Sequence, residues 1–187
     1  MVFRPLTHDE IDLIWTIDRS EVHRHIYKVV DGRLTLVPAY FEVPGWDPKM
    51  IESDTIKLRG CFDRGGIFRG AFDGDALVGV SVVDTKRIES APNQLQLLYL
   101  YVSRSLRGQG VGRKLFTDAA EAARALGAKA LYISSAPTEN TVNFYLHRGA
   151  LLVAEPDPDL FAAEPDDLHL TYPVSPKNSI RAKNRRF

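Results

Sequence analysis

The chain has 187 residues, of which 44% are hydrophobic and 26% charged, which is enough for one well-buried core and short for two. Its 24 lysines and arginines equal its 24 aspartates and glutamates, so no global field draws it to nucleic acid or anionic lipid. The single cysteine, Cys61, excludes an internal disulfide and a cysteine-based zinc cluster and suits a reducing, cytoplasmic setting. The longest apolar stretch, 76–83, is far below the roughly 20 residues of a membrane-spanning helix. The first ten residues carry no apolar signal core.

In chain order, 2–4 reads as a short strand, and Thr7 with Glu10 three residues later forms a capping box ahead of Ile11, Ile14 and Trp15. Segments 26–30 and 33–37 flank Asp31-Gly32, the dipeptide of a tight hairpin turn. Asp47-Pro48 then caps a helix whose residues Ile51, Thr55, Leu58 and Phe62 share one face, ending before Gly65-Gly66. Segments 67–72 and 76–84 are β-rich and joined by a turn at Asp73-Gly74-Asp75. A strand over Gln94–Val102 and a turn at 103–108 precede a helix with Val111, Leu115, Ala119, Ala122 and Leu126 at helical spacing, stopped by Gly127. A strand at 130–134, an N-cap at Thr138, a helix at 140–148 and a last strand at 169–172 follow. Segment 155–167, with six acids and three prolines, reads as a solvated loop, and 175–187, with five bases and no acid, as a disordered tail. The order is α/β in one domain over 1–174, with antiparallel hairpins first, one of them an insertion around 26–37, and a βαβ-like unit later.

The informative stretch is 98–113, a strand, a glycine-rich turn and a helix start in succession. Glycines at 108, 110 and 112 clear side chains away, so the amides of Gln109 to Arg113 and the helix N-terminus can face an anion such as a pyrophosphate, with Arg107 and Arg113 adding positive charge. The triphosphatase loop Gly-x-x-x-x-Gly-Lys-Ser/Thr is absent. The dinucleotide fingerprint also fails, because the sixth position is Arg113 counted from Gly108 and Leu115 counted from Gly110.

Arg107-Gly108-Gln109-Gly110-Val111-Gly112 instead resembles the Arg/Gln-x-x-Gly-x-Gly/Ala motif of the GNAT superfamily of N-acetyltransferases. Residues 134–150, with Asn140, Phe144-Tyr145 and Gly149, are similar to that family's later strand and helix, and the likeness spans about 3–172. It implies an α+β mixed sheet, mostly antiparallel, splayed between two parallel strands and flanked by about four helices. It further implies acetyl-CoA as acyl donor, paired with the strand end Leu100, Tyr101 and Val102, held by residues 107–113, and touched by Asn140 and Tyr145. Tyr145 matches the family's usual general acid. The family's strand glutamate is missing here, because Gln94–Val102 contains no acid, so Glu21 or His23, after the first helix, is the candidate for handling the amine's proton. Both could equally be surface residues of a loop.

The acceptor amine stays open, whether small molecule, peptide or protein. So does the role of Tyr27, Tyr40, Phe41 and Trp46, which could wall a pocket, pack on the sheet or meet a second subunit. No metal is called for, neither membrane nor nucleic acid is an expected partner, and the family's habit of dimerising admits a homodimer. A non-catalytic acyl-CoA sensor of the same fold is the competing reading.

Overall fold

A computed structural model describes residues 1–174; the tail expected to be disordered, 175–187, lies outside the described residues. Strand β1 is Val2–Pro5, and a 3₁₀ helix follows over His8–Thr16. Its buried residues Ile11 and Ile14, with Ile17 at its C-cap, recur every three positions, the period of a 3₁₀ and not of an α-helix. Glu10 reaches back to the Thr7 amide at 2.9 Å and is gripped by Arg4 at 2.6 and 2.8 Å, which holds its carboxyl down at about 2.

Strands β2 (Glu21–Val30) and β3 (Arg33–Val43) form a two-stranded antiparallel sheet of their own. Asp31 and Gly32 turn it with φ of 49° and 71°, the two left-handed residues the tight turn requires. The hairpin is longer than the expected 26–37, because pairing continues through a bulge between His23 and His25 as far as Glu21 opposite Val43. Glu21 and His23 therefore lie on a strand and not on a loop.

Helix α1 (Pro48–Asp63) is capped by Asp47, which accepts from the amides of Lys49 and Met50. Strands β4 (Ile67–Asp73), β5 (Ala76–Arg87) and β6 (Gln94–Val102), helix α2 (Val111–Ala125), strand β7 (Ala130–Ser135) and helix α3 (Glu139–Leu146) match the expected order. Strand β8 (Leu151–Leu152), helix α4 (Pro158–Ala163) and strand β9 (Leu168–Pro173) complete the described chain. The main sheet runs β1-β4-β5-β6-β7-β9-β8, and its single parallel pair is β6–β7. Ile11, Ile14 and Leu58 cover one face over Phe68, Val80, Val82 and Tyr99. On the other face Phe116, Ala119 and Ala123 of α2 cover Val83, Leu95, Leu97, Leu131 and Ile133. Phe116 and Ala123, not the expected Ala122 and Leu126, extend the buried stripe of α2, and Leu126 lies exposed past its end.

The acidic segment 155–167 is not a plain solvated loop. Asp157 caps α4 by accepting from the amides of Asp159 and Leu160 at 3.1 and 3.0 Å, while Ser90 donates to its second oxygen at 2.7 Å. The Asp157 amide donates to the Tyr132 hydroxyl at 3.0 Å, so that hydroxyl is left to donate to Nδ1 of His169 at 2.8 Å. This chain of bonds fastens the segment to β7 and β9. No helix of the described residues is long and apolar enough to cross a membrane.

His169 is buried, and burial lowers its pKa below the ordinary value. The unfolded chain then takes up its proton first, near the usual value of about 6.5, so the stabilisation is complete above that pH and is lost as pH falls toward the lower folded value. Denaturant midpoints measured at pH 7.5 and 5.5 should fall at the lower pH. His169→Asn, whose amide oxygen can accept from Tyr132, should shrink that difference; an unchanged difference would remove His169 from the account.

Candidate active site

The site begins at a bulge in β6. Leu97 pairs with Val83 and Tyr99 with Val82, so Leu98 is an extra residue on β6. One added residue exchanges the two faces of everything after it. Leu97 consequently packs with α2, whereas Tyr99 and Tyr101 pack on the side of α1 and the 3₁₀ helix. Pairing of β6 with β7 stops at the same place, its last register being Gln96 opposite Tyr132. Beyond it the two strands part, and a cavity of about 720 Å³ opens between Leu97–Val102 on one side and Ser134–Thr138 on the other. Leu100, Tyr101 and Val102 all line it.

At the end of β6 the chain makes the glycine turn. Gly108 and Gly110 adopt φ of 77° and 89°, the left-handed region that side chains disfavour. Gly110 is the N-cap of α2 and has no side chain to bond the first amides, so those of Val111, Gly112 and Arg113 remain available to an anion at the positive end of the helix. Gly112 serves packing: a Cβ there would stand 3.3 Å from the Phe144 ring and 3.5 Å from Val102. Gln109 folds back, its side-chain amide donating to the Ser105 carbonyl at 2.9 Å.

Arg107, expected to point at the anion, is engaged on its own chain. Its Nε donates to the Val102 carbonyl at 3.1 Å and one terminal nitrogen to Glu21 at 2.7 Å. The other Glu21 oxygen accepts from Asn140 at 2.7 Å. Glu21 thus joins the turn before α2 to the start of α3 across the cleft mouth. Further along β2, His25 meets Glu139 at 3.0 Å, the Tyr27 hydroxyl donates to Asn143 at 2.9 Å, and the Tyr27 amide donates to the Pro137 carbonyl at 2.7 Å. The hairpin is therefore a wall of the cleft, and Phe41 and Val43 of β3 line the cavity with Glu21 and His23.

His23 stacks on Phe41 with ring centroids 4.6 Å apart, and its Nδ1 stands 3.9 Å from Glu21. Desolvation depresses its pKa more than Glu21 raises it, which keeps the imidazole neutral at pH 7. Tyr145 of α3 is 6% exposed and lines the cavity, and burial pushes its pKa well above the ordinary tyrosine value. The structure thus gathers Glu21, Leu100, Tyr101, Val102, Arg107, Gly108, Gly112, Asn140 and Tyr145 around one cavity.

Several lining residues had no role in the sequence reasoning, among them Ser134 and Arg19. Ser134 turns a buried hydroxyl with no partner among the described residues into the parted strand edge. Arg19 lies against Trp46 and Tyr101. Arg19 belongs to no motif and Ser134 only opens the 134–150 stretch with no role of its own there, so their placement identifies them. Tyr40, by contrast, is largely exposed, and Trp46 packs edge-on against Trp15 and Tyr101 without lining the cavity. Among the described residues no cluster of three or more metal-binding side chains occurs.

No curated protein matches the sequence. Among solved structures, nourseothricin acetyltransferase superposes with a TM-score of 0.70 at 22% identity, covering 93% of this chain and 98% of the other. A Bacillus anthracis protein assigned as a streptothricin acetyltransferase, solved with acetyl coenzyme A, gives 0.67 at 14% identity over 91% and 95%. The PaiA N-acetyltransferase of Thermoplasma acidophilum, solved with coenzyme A, gives 0.59 at 18% identity over 92% and 98%. These likenesses speak for the fold. The model of the acetyltransferase (GNAT) family matches residues 35–150, which include the bulged strand, the glycine turn and Tyr145, and the chain belongs to that family.

Proposed function

We propose that the protein transfers an acetyl group from acetyl-CoA to a primary amine by direct attack, in the cytoplasm that its single buried thiol suits. The observation that carries this reading is the parted β6–β7 pair, with an uncapped helix N-terminus at its end and the Tyr145 hydroxyl in its wall. The edge of β6 past Gln96 that no longer pairs with β7, and the Ser134 hydroxyl, suit an amide-bearing pantetheine arm. The amides of Val111 to Arg113 suit the pyrophosphate. Acetyl-CoA supplies the activated carbonyl.

His23, neutral and facing the cavity, takes the proton of the incoming ammonium, with Glu21 behind it to favour the imidazolium that results. The amine nitrogen then bonds to the carbonyl carbon as the carbon–sulfur bond breaks and the electron pair goes to sulfur; the nitrogen sheds its second proton, which makes good the proton that sulfur draws from Tyr145, so that amide, free thiol and neutral tyrosine result. Tyr145 donates a hydrogen bond to that sulfur. With ordinary values of about 10 for tyrosine and 8.5 for a thiol, full proton transfer costs about 2 kcal/mol. Burial raises the tyrosine further and penalises a thiolate in the same cavity, so the proton is shared as charge develops.

A second reading, an acyl-CoA sensor without turnover, draws on the engagement of both Glu21 oxygens by Arg107 and Asn140. The two readings separate experimentally: the sensor raises its melting temperature with acetyl-CoA but releases no thiol with any amine. Acetyl-CoA and desulfo-CoA should each stabilise the protein saturably. Gly110→Asp should weaken that binding by roughly tenfold or more, because a side chain and a like charge meet the anion. Undiminished affinity would sink the assignment of the turn. Tyr145→Phe should lower kcat by roughly a hundredfold while acetyl-CoA binding stays at the parent level; parent kcat would exclude the role given to the hydroxyl.

A further inference from the structure

The cavity extends past the bulge to the hairpin, and its charges there do not balance. Apart from tyrosines, its ionisable lining residues are Arg19, Glu21, His23 and Arg107. Glu21 and Arg107 neutralise each other at 2.7 Å, with Asn140 taking the remaining carboxylate oxygen. His23 is held neutral by desolvation. Arg19 is left. Its guanidinium lies 4.8 Å from the Trp46 ring centroid and 5.4 Å from that of Tyr101, and one nitrogen meets the Met50 sulfur at 3.1 Å. Among the described residues no carboxylate pairs with it.

A guanidinium fixed on aromatic faces is pre-organised, and its free N–H fork matches a carboxylate in two parallel hydrogen bonds. Three acids act electrostatically on Tyr101 from outside the lining: Asp54, Glu164 and Asp167. Asp54 accepts from the Tyr99 hydroxyl, and Asp167, crowded by burial and by Glu164, is raised to about 7, so Asp167 carries only part of a negative charge at neutral pH. In the same cavity, Phe41 and Val43 of the hairpin offer an apolar surface.

We infer that the acceptor is a free amino acid with an apolar side chain, its carboxylate bound by Arg19, its side chain against Phe41 and Val43, and its amine directed to His23 and the thioester. This deepens the acyl-transfer reading and rests on it. The place of Arg19 follows from Trp46 and Tyr101, which converge only in the folded chain.

The test pairs each apolar L-amino acid with its decarboxylated amine, phenylalanine with phenethylamine and leucine with isoamylamine, and follows thiol release from acetyl-CoA. The amino acid of a pair should show kcat/KM higher by roughly tenfold or more. Arg19→Gln should bring the ratio of the pair close to one, chiefly through KM, while Arg19→Lys keeps part of it and the acetyl-CoA thermal shift of both variants equals the parent's. Equal rates within pairs, turnover confined to the decarboxylated amines, no turnover of either set by a protein that binds acetyl-CoA, or a ratio that survives Arg19→Gln would each overturn the carboxylate assignment. Absence of acetyl-CoA binding would instead overturn the acyl-transfer reading itself.

Discussion

One residue in excess on β6 sets the geometry on which everything else depends. Parallel strands hydrogen-bond evenly along their length, and nothing in a regular β6–β7 pair would leave backbone groups unpaired inside the sheet. Leu98, by lacking a partner on β5, rotates the rest of β6 by one face and ends its pairing with β7. The sheet stays whole below the bulge, where Leu95 and Leu97 sit in the core, and opens above it. The same event sends Tyr99 and Tyr101 toward α1, where they meet Trp15 and Trp46. Cleft and aromatic wall are two results of a single insertion.

Across the opening, the hairpin substitutes for the lost strand contacts. Its β2 strand touches α3 or the segment before it through Glu21, His25 and Tyr27. The Glu21–Arg107 pair is partly buried, and ions in such a place pay desolvation that offsets much of their attraction. Its significance is positional: one carboxylate fixes the register of the hairpin, the glycine turn and α3 relative to one another. An alanine there would leave a guanidinium and an amide without their partner beside the cleft.

Burial acts in opposite directions on two ionisable residues of the cavity, because it penalises whichever form carries charge. It lifts Tyr145, whose charged form is the anion, and depresses His23, whose charged form is the cation. Both consequently rest neutral in the cavity at pH 7.

The sequence by itself determined most of the local elements and the glycine turn. Asp31-Gly32, Asp47-Pro48 and the glycines at 108 and 110 act through their own backbone preferences, which need no distant partner, and each is found where those preferences place it. Only the tertiary structure decided the rest. The bulge at Leu98 exists because β5 and β7 flank β6; in the sequence, Gln94–Val102 is an unbroken β-rich run. The acidic segment 155–167 folds back as α4 because Asp157 finds Ser90 and the Tyr132 hydroxyl, groups far off in sequence. Arg107 is paired within the chain because Glu21 lies 86 positions away in sequence and 2.7 Å away in space. Propensity is a property of neighbours in sequence, whereas pairing, burial and charge balance are properties of neighbours in space.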